Sequence, residues 1–325
     1  MTSNPEAWVG LGFVSTIENA PGQVLTEIEG ISSVAAQIAW GVDAVKPEVM
    51  PDYLDSLRDW DLTPVGWAWC DAENEAGAQA EGYAHARIAG NLGLDLFIAN
   101  QEEEYDAHGD VNSPKFNMPK VYCEAFRSIL PDIEFAVTTL NRCGSNHQAM
   151  RDAGAVLMPQ TFFLEAPGAT LDTACRHAQD WGWDMRYVRP LVQVYETRGQ
   201  VPDPNVYLSE SADWGVGVIP YILEQAVGGA GRAALTALVP AITRQPLAPP
   251  TNGGTVPGNE IPPIKPNEII GSEHGITAFV DWLQKQPGMP VRSASYNPAK
   301  PGTWPWPERL ERALKILAAD HDASA

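Results

Sequence analysis

From residue 7 to about 225 the chain alternates two textures. Short runs are apolar or β-branched nearly throughout: WVGLGFVS (8–15), VAAQIAW (34–40), PVGWAWC (64–70), LFIANQE (96–102), EFAVTTL (134–140), AVLMPQTFF (155–163), YVRPLVQVYE (187–196) and WGVGVIPYIL (214–223). Between them, PDYLDSLRDW (51–60), AGAQAEGYAHARIAGNLG (76–93), PKVYCEAFRSIL (119–130), HQAMRDAG (147–154) and LDTACRHAQDWGW (171–183) place apolar residues at helical spacing. Runs apolar on both faces suit a parallel sheet covered by helices. Eight such units over this length predict a (β/α)8 barrel. A doubly wound open sheet is the competitor, but the turn after the first strand, STIENAPGQ, has no G-x-G-x-x-G.

The texture changes at 245. Seven prolines fall in QPLAPPTNGGTVPGNEIPPIKPNE (245–268), too many for a helix or a central strand, and an extended arm or linker is expected. Beyond it GITAFVDWLQKQ (275–286) and WPERLERALKILAADH (306–321) have helical spacing, with Tyr296, Trp304 and Trp306 in a proline-rich frame between or beside them. The expected organisation is a barrel over 1–244, an arm over 245–268, and a docking segment of helices and aromatic residues over 269–325. About sixty residues of this kind are too few for a secure core of their own. They are expected to dock on the barrel, another subunit or a partner.

In a (β/α)8 barrel the site lies at the C-terminal ends of the strands. There the chain carries Asp71, Glu102 to Glu104, Asn141, Arg142, Gln160, Glu196 and Glu224. If strand alternation continues through IANQEEEYD, then Asn100, Glu102 and Glu104 share one side and Gln101 and Glu103 the other. Carboxylates two residues apart have Cα atoms roughly 6.5–7 Å apart on a strand, close enough to divide into a protonated acid and an ionised partner. Glycoside hydrolysis uses that division. The catalytic candidates are Glu102 and Glu104, with Glu196 as an alternative partner for Glu102. Asn100, Asp71, Gln160, Trp69 and Phe162 are the substrate-binding candidates, and Trp67 and Phe163 are further aromatic residues near the rim. The competing reading makes Glu102 to Glu104 the start of a solvated loop, Glu196 a surface partner of Arg198, and the tryptophans barrel-to-helix packing.

Charge narrows the partners. Lys and Arg total 21 against 41 Asp and Glu, a formal net charge of −20 that repels phosphate backbones and anionic lipid. Neither nucleic acid nor membrane insertion is expected, no apolar run is long enough to span a bilayer, and MTSNPEAWVG lacks a signal-peptide pattern, so synthesis in the cytoplasm is expected. The six histidines form no H-x-H or H-E-x-x-H pattern and the four cysteines no C-x-x-C pair, so no metal or cofactor is expected; a hard cation on Asp71, Glu102 and Glu104 is the variant considered. There is no G-x-S-x-G elbow for Ser15 or Ser209, and GVGVIP (215–220) is no phosphate cradle.

The pattern LFIANQEEEY followed about fifty residues later by AVLMPQTFF resembles the glycoside-hydrolase-like barrels of actinobacterial phages and their hosts, over roughly residues 7 to 225. SYNPAKPGTWPWPERLERALKIL is similar in texture to the C-terminal pieces of such proteins. The resemblance implies a minor tail protein of the virion that binds or cleaves host polysaccharide or peptidoglycan, and that contacts other virion subunits through residues 245–325. It nominates Asn100, Glu102, Glu104 and Gln160. The alternative it leaves open is a catalytically inactive assembly protein with the barrel as scaffold.

Overall fold

Each apolar run forms a strand, and the eight strands close into a barrel. The computed structural model describes residues 3–247 except 16, 18–21, 109, 111, 142–144, 227 and 228. The arm from 248 onward, both C-terminal helical segments, Tyr296, Trp304, Trp306, Arg142 and Cys143 lie outside the described residues.

The barrel strands are β1 (Leu11–Phe13), β2 (Ser33–Trp40), β3 (Thr63–Trp69), β4 (Leu96–Asn100), β5 (Glu134–Thr139), β6 (Val156–Thr161), β7 (Leu191–Gln193) and β8 (Ile219–Tyr221). All neighbours are parallel, and β1 closes the ring by pairing with both β2 and β8, the latter through Phe13 and Tyr221. A two-residue ribbon, Asp43–Ala44, folds back antiparallel on the end of β2. The helices are α1 (Met50–Asp59), α2 (Glu75–Asn91), α3 (Met118–Ile129), α4 (Gln148–Asp152), α5 (Leu171–Asp180), α6 (Pro204–Trp214) and α7 (Gly229–Ile242), and a 3-10 helix, Gly22–Glu27, takes the place after β1. This is a (β/α)8 barrel, and the doubly wound alternative is excluded by its closure.

Two apolar layers explain the double-faced strands. Leu11, Phe13, Ala35, Val65, Trp67, Leu96, Ile98, Ala136, Val156, Met158, Leu191 and Ile219 fill the interior. The alternate residues, among them Val34, Ala36, Phe97, Ala99, Phe135, Val137 and Leu157, meet the helices. Each large side chain taken from water in this way contributes about 1.5–3 kcal/mol. On α1 the buried residues are Met50, Leu54 and Leu57; on α3 they include Tyr122, Cys123 and Phe126; on α5 they are Leu171, Ala174, Cys175 and Ala178. α2 and α3 approach so closely that a Cβ on Gly82 would lie 2.5 Å from the Tyr122 carbonyl oxygen.

Helices α6 and α7 go unrecognised in the sequence. The first carries a start signal nonetheless: Pro204 sits in the first turn and the Asp203 side chain accepts from Asn205 N–H at 2.9 Å. Several strands are shorter than their apolar runs suggest, β1, β7 and β8 most of all, and the shortening of β4 bears on the site. β4 ends at Asn100, and Glu103–Tyr105 form a turn in which Tyr105 N–H donates to the Glu102 carbonyl at 3.1 Å. Strand alternation therefore stops before Glu104.

Candidate functional site

The inward side chain at the end of β4 is polar, and its neighbours around the ring match it. Asn100 is buried, in register with Thr138 on β5 and Trp69 on β3. Thr138 Oγ1 donates to Asn100 Oδ1 at 2.6 Å, which orients the amide so that Asn100 Nδ2 donates to Glu102 Oε1 at 2.9 Å. From β6, Gln160 Nε2 donates to the same Glu102 oxygen at 2.7 Å. Oε1 is thus held by two amide N–H groups, while Oε2 has no partner among the described residues. A protonated carboxyl in this cage must carry its hydrogen on Oε2, the oxygen left for a ligand.

Aromatic rings cluster at the same end of the barrel. Phe162 stacks on Tyr221 at 5.3 Å, Tyr195 meets both rings edge-on at 6.2 and 6.0 Å, and Phe13 links Tyr221 to Trp67. Trp67 Nε1 donates to the Val14 carbonyl at 3.2 Å, so this tryptophan packs inside the barrel and not against the helices. Tyr195 OH donates to Glu165 at 2.5 Å, tying together the loops after β6 and β7. Across the β8–β1 seam, Glu224 accepts from Ser15 N–H at 2.7 Å and from the Ser15 hydroxyl. Burial first, then the carboxylates Glu224, Glu102 and Glu165, push the Tyr221 hydroxyl up to about 12.

The other sequence candidates separate. Glu104 lies in the turn after β4; its Oε2 is buried without a hydrogen bond, and its charge is one of those that hold up the Cys70 thiol at the end of β3, after burial, Glu81 and Asp71. It does not belong to the Asn100–Glu102–Gln160 cage. The physical reason is the turn, which takes the chain out of strand geometry two residues too early. Glu196 is exposed and makes no hydrogen bond or ion pair among the described residues, with Arg198 or with Glu102. Phe162 faces the mouth, whereas Phe163 packs outward on Tyr207. Trp69 is half-buried against the interior cluster and stacks on Trp40, whose Nε1 donates to Asp71 at 2.9 Å. Asp71, Glu102 and Glu104 are not gathered as a cation site: no group of three His, Cys, Asp or Glu side chains among the described residues is arranged to hold a metal ion.

Tyr195, Tyr221 and Glu165 escape the sequence reading. Tyr195 is next to last in the seventh apolar run and Tyr221 lies two residues before the end of the eighth, so the strand-end rule that selects Gln160 reaches them too. Glu165 lies in a loop and has no local signal.

No protein-family model matches the chain, and no curated protein matches it. Solved structures do resemble it. The C-terminal domain of Legionella pneumophila ChiA superimposes with a TM-score of 0.54 at 12% identity, over 71% of this chain and 98% of that one. A GH18 chitinase from Pseudoalteromonas aurantia gives 0.52 at 10% identity, over 70% and 99%. An endo-beta-N-acetylglucosaminidase from Cordyceps militaris gives 0.50 at 11% identity, over 71% and 90%. The barrel is glycoside-hydrolase-like in fold; activity is a matter for the site.

Proposed function

We propose that the barrel binds an N-acetylated polysaccharide of a host cell envelope at its C-terminal mouth, with Glu102 as the acid that protonates the leaving glycosidic oxygen and then as the base that takes a proton from the incoming water. The observation that carries this reading is the Glu102 carboxylate itself, fixed through Oε1 by Asn100 and Gln160 with Oε2 left without a partner among the described residues, at the barrel end that also carries the Phe162–Tyr221 stack. A pair of glutamates is not required. Glu104 and Glu196 lie outside the cage, and one carboxylate suffices where the substrate supplies its own nucleophile, as in substrate-assisted glycosidases. The fold of chitinases and of an endo-N-acetylglucosaminidase supports a 2-acetamido sugar in that role.

Incubation with chitin oligomers and with purified peptidoglycan tests it. The unmodified protein releases shorter oligosaccharides, and Glu102→Gln does not. A second reading, binding without cleavage, is favoured by the amide at position 100, which gives Glu102 a donor and no second acid on its own strand. Under that reading the unmodified protein binds the glycans and releases nothing. The resemblance of LFIANQEEEY and of the C-terminal stretch to phage minor tail proteins supports placing this barrel in a virion, with residues 245–325 against neighbouring subunits. Detection of the chain in purified particles tests that placement.

A further inference from the structure

Helix α2 turns two polar side chains, one helical turn apart, into the dry layer between itself and the strands. Glu81 is 2% exposed and His85 0%. Burying such groups is unfavourable unless each finds a partner, and each finds one in the loops after β2 and β3, with further partners from the turn after β4 and from α3. Glu81 Oε1 accepts the Asp71 backbone N–H at 2.8 Å, and its Oε2 accepts from Tyr105 OH at 2.5 Å. His85 Nε2 lies 2.5 Å from the Gly41 carbonyl; a carbonyl only accepts, so this nitrogen carries the hydrogen and Nδ1 accepts from Tyr122 OH at 2.8 Å.

Those two loops carry one surface feature. Gly41 N–H donates to the Trp69 carbonyl at 2.9 Å, and Gly41 sits at φ +53° so close to Asp71 that a Cβ would lie 2.7 Å from its Oδ1. Asp71 Oδ2 in turn accepts from Trp40 Nε1, and the Trp40 ring stacks on Trp69 at 5.3 Å and 19°. Trp40 is nonetheless 53% exposed, more than any other large apolar residue among those described. A tryptophan held in one orientation by a ring below it, a carboxylate beside it and a buried helix face behind both has lost its rotamer freedom in advance, so a ligand that lies on it meets little ordering cost. Trp69 packs against the interior cluster and Trp40 stacks on Trp69, so packed side chains link the barrel interior to Trp40.

We propose that Trp40, flanked by Asp71, is a second carbohydrate-binding position, a stacking platform for one pyranose ring of a glycan that extends from the mouth over the ends of β2 and β3, and that Glu81 and His85 are its positioning residues. The occupant is a sugar because the platform pairs an open aromatic face with a carboxylate acceptor for hydroxyl groups, and because it stands at the same end of the barrel as the mouth. The inference rests on the reading that the mouth takes a polysaccharide.

Calorimetric titration with β-1,4-linked N-acetylglucosamine trimer and hexamer separates the two. All variants are made in the Glu102→Gln background, so that no ligand is consumed. The expected result is that Trp40→Ala weakens the hexamer at least about tenfold, Trp40→Phe restores most of that loss, Glu81→Gln weakens it several-fold, and the trimer, which fills the mouth alone, is unaffected. Hexamer affinity unchanged by Trp40→Ala, or equal losses for trimer and hexamer, overturns the platform and leaves the mouth reading intact. Absence of binding by either oligomer to the parent overturns both. Trp40 is a surface residue, and unchanged thermal melting of Trp40→Ala confirms that the fold is not the cause.

Discussion

Two N–H donors on one oxygen decide what Glu102 can do. With Oε1 occupied by Asn100 and Gln160, the proposed proton exchange with a ligand would have to run through Oε2. Replacing Glu102 with Gln removes that proton and is expected to lower any oligosaccharide release by about 10²-fold or more, with trimer binding kept within a few-fold; product chromatography and calorimetry check the two halves. Gln160→Ala leaves Oε1 with one donor and is expected to lower release without shifting the melting temperature, because the side chain is only half-buried. At Gly41 the backbone has a positive φ and the nearest atom to a new Cβ would be Asp71 Oδ1. Gly41→Ala is therefore expected to cost about 1–2 kcal/mol, read as a lower urea midpoint.

At the scale of one element, α2 makes a test of proton linkage. Burial, outweighing the hydrogen bonds from Tyr105 and from Asp71 N–H, lifts the Glu81 carboxyl from an ordinary 4.5 to about 7. Burial likewise holds the His85 imidazole down from 6.5 to about 4, against the Gly41 carbonyl and the Asp71 charge. Between pH 4.5 and 7 the folded protein keeps a proton on Glu81 that the unfolded chain has lost, so this contribution falls as pH rises. Between pH 4 and 6.5 the unfolded chain holds a proton that His85 does not, so that contribution rises. Over the shared range the two offset. Glu81→Gln removes only the first, and the stability of the parent relative to the variant is expected to decline from pH 4.5 to 7 by on the order of 1 kcal/mol per pH unit, measured by urea unfolding at several pH values. None of this was legible from α2 alone. Its apolar spacing identifies a helix, but Glu81 and His85 gain their meaning from Asp71, Tyr105, Tyr122 and Gly41, which belong to four other segments.

For the molecule as a whole, closure is the decisive event, and one buried cation helps to complete it. Arg189 is 1% exposed, and its guanidinium donates at 3.1 Å to the Arg244 carbonyl, just beyond α7, with a longer contact of 3.4 Å to the Ile242 carbonyl at that helix's end; burial lowers it to about 10. Arg189→Ala would orphan the Arg244 carbonyl, leave Ile242 with the Gly10 N–H alone, and open a cavity beside β7 and α7, and is expected to destabilise the barrel by about 2–4 kcal/mol in urea unfolding. What the sequence determined by itself is the architecture, because eight runs apolar on both faces demand a parallel sheet covered inside and out, and that demand is local to each run. The tertiary structure alone decided which glutamate the two amides hold. Glu102, Glu103 and Glu104 are consecutive in the chain, and only the turn that ends β4 at Asn100, together with an amide from β6 some sixty residues away, sets Glu102 apart from its neighbours. Hydrogen bonds between strands that closure brings together carry no signature in the order of residues, and the site is made of them.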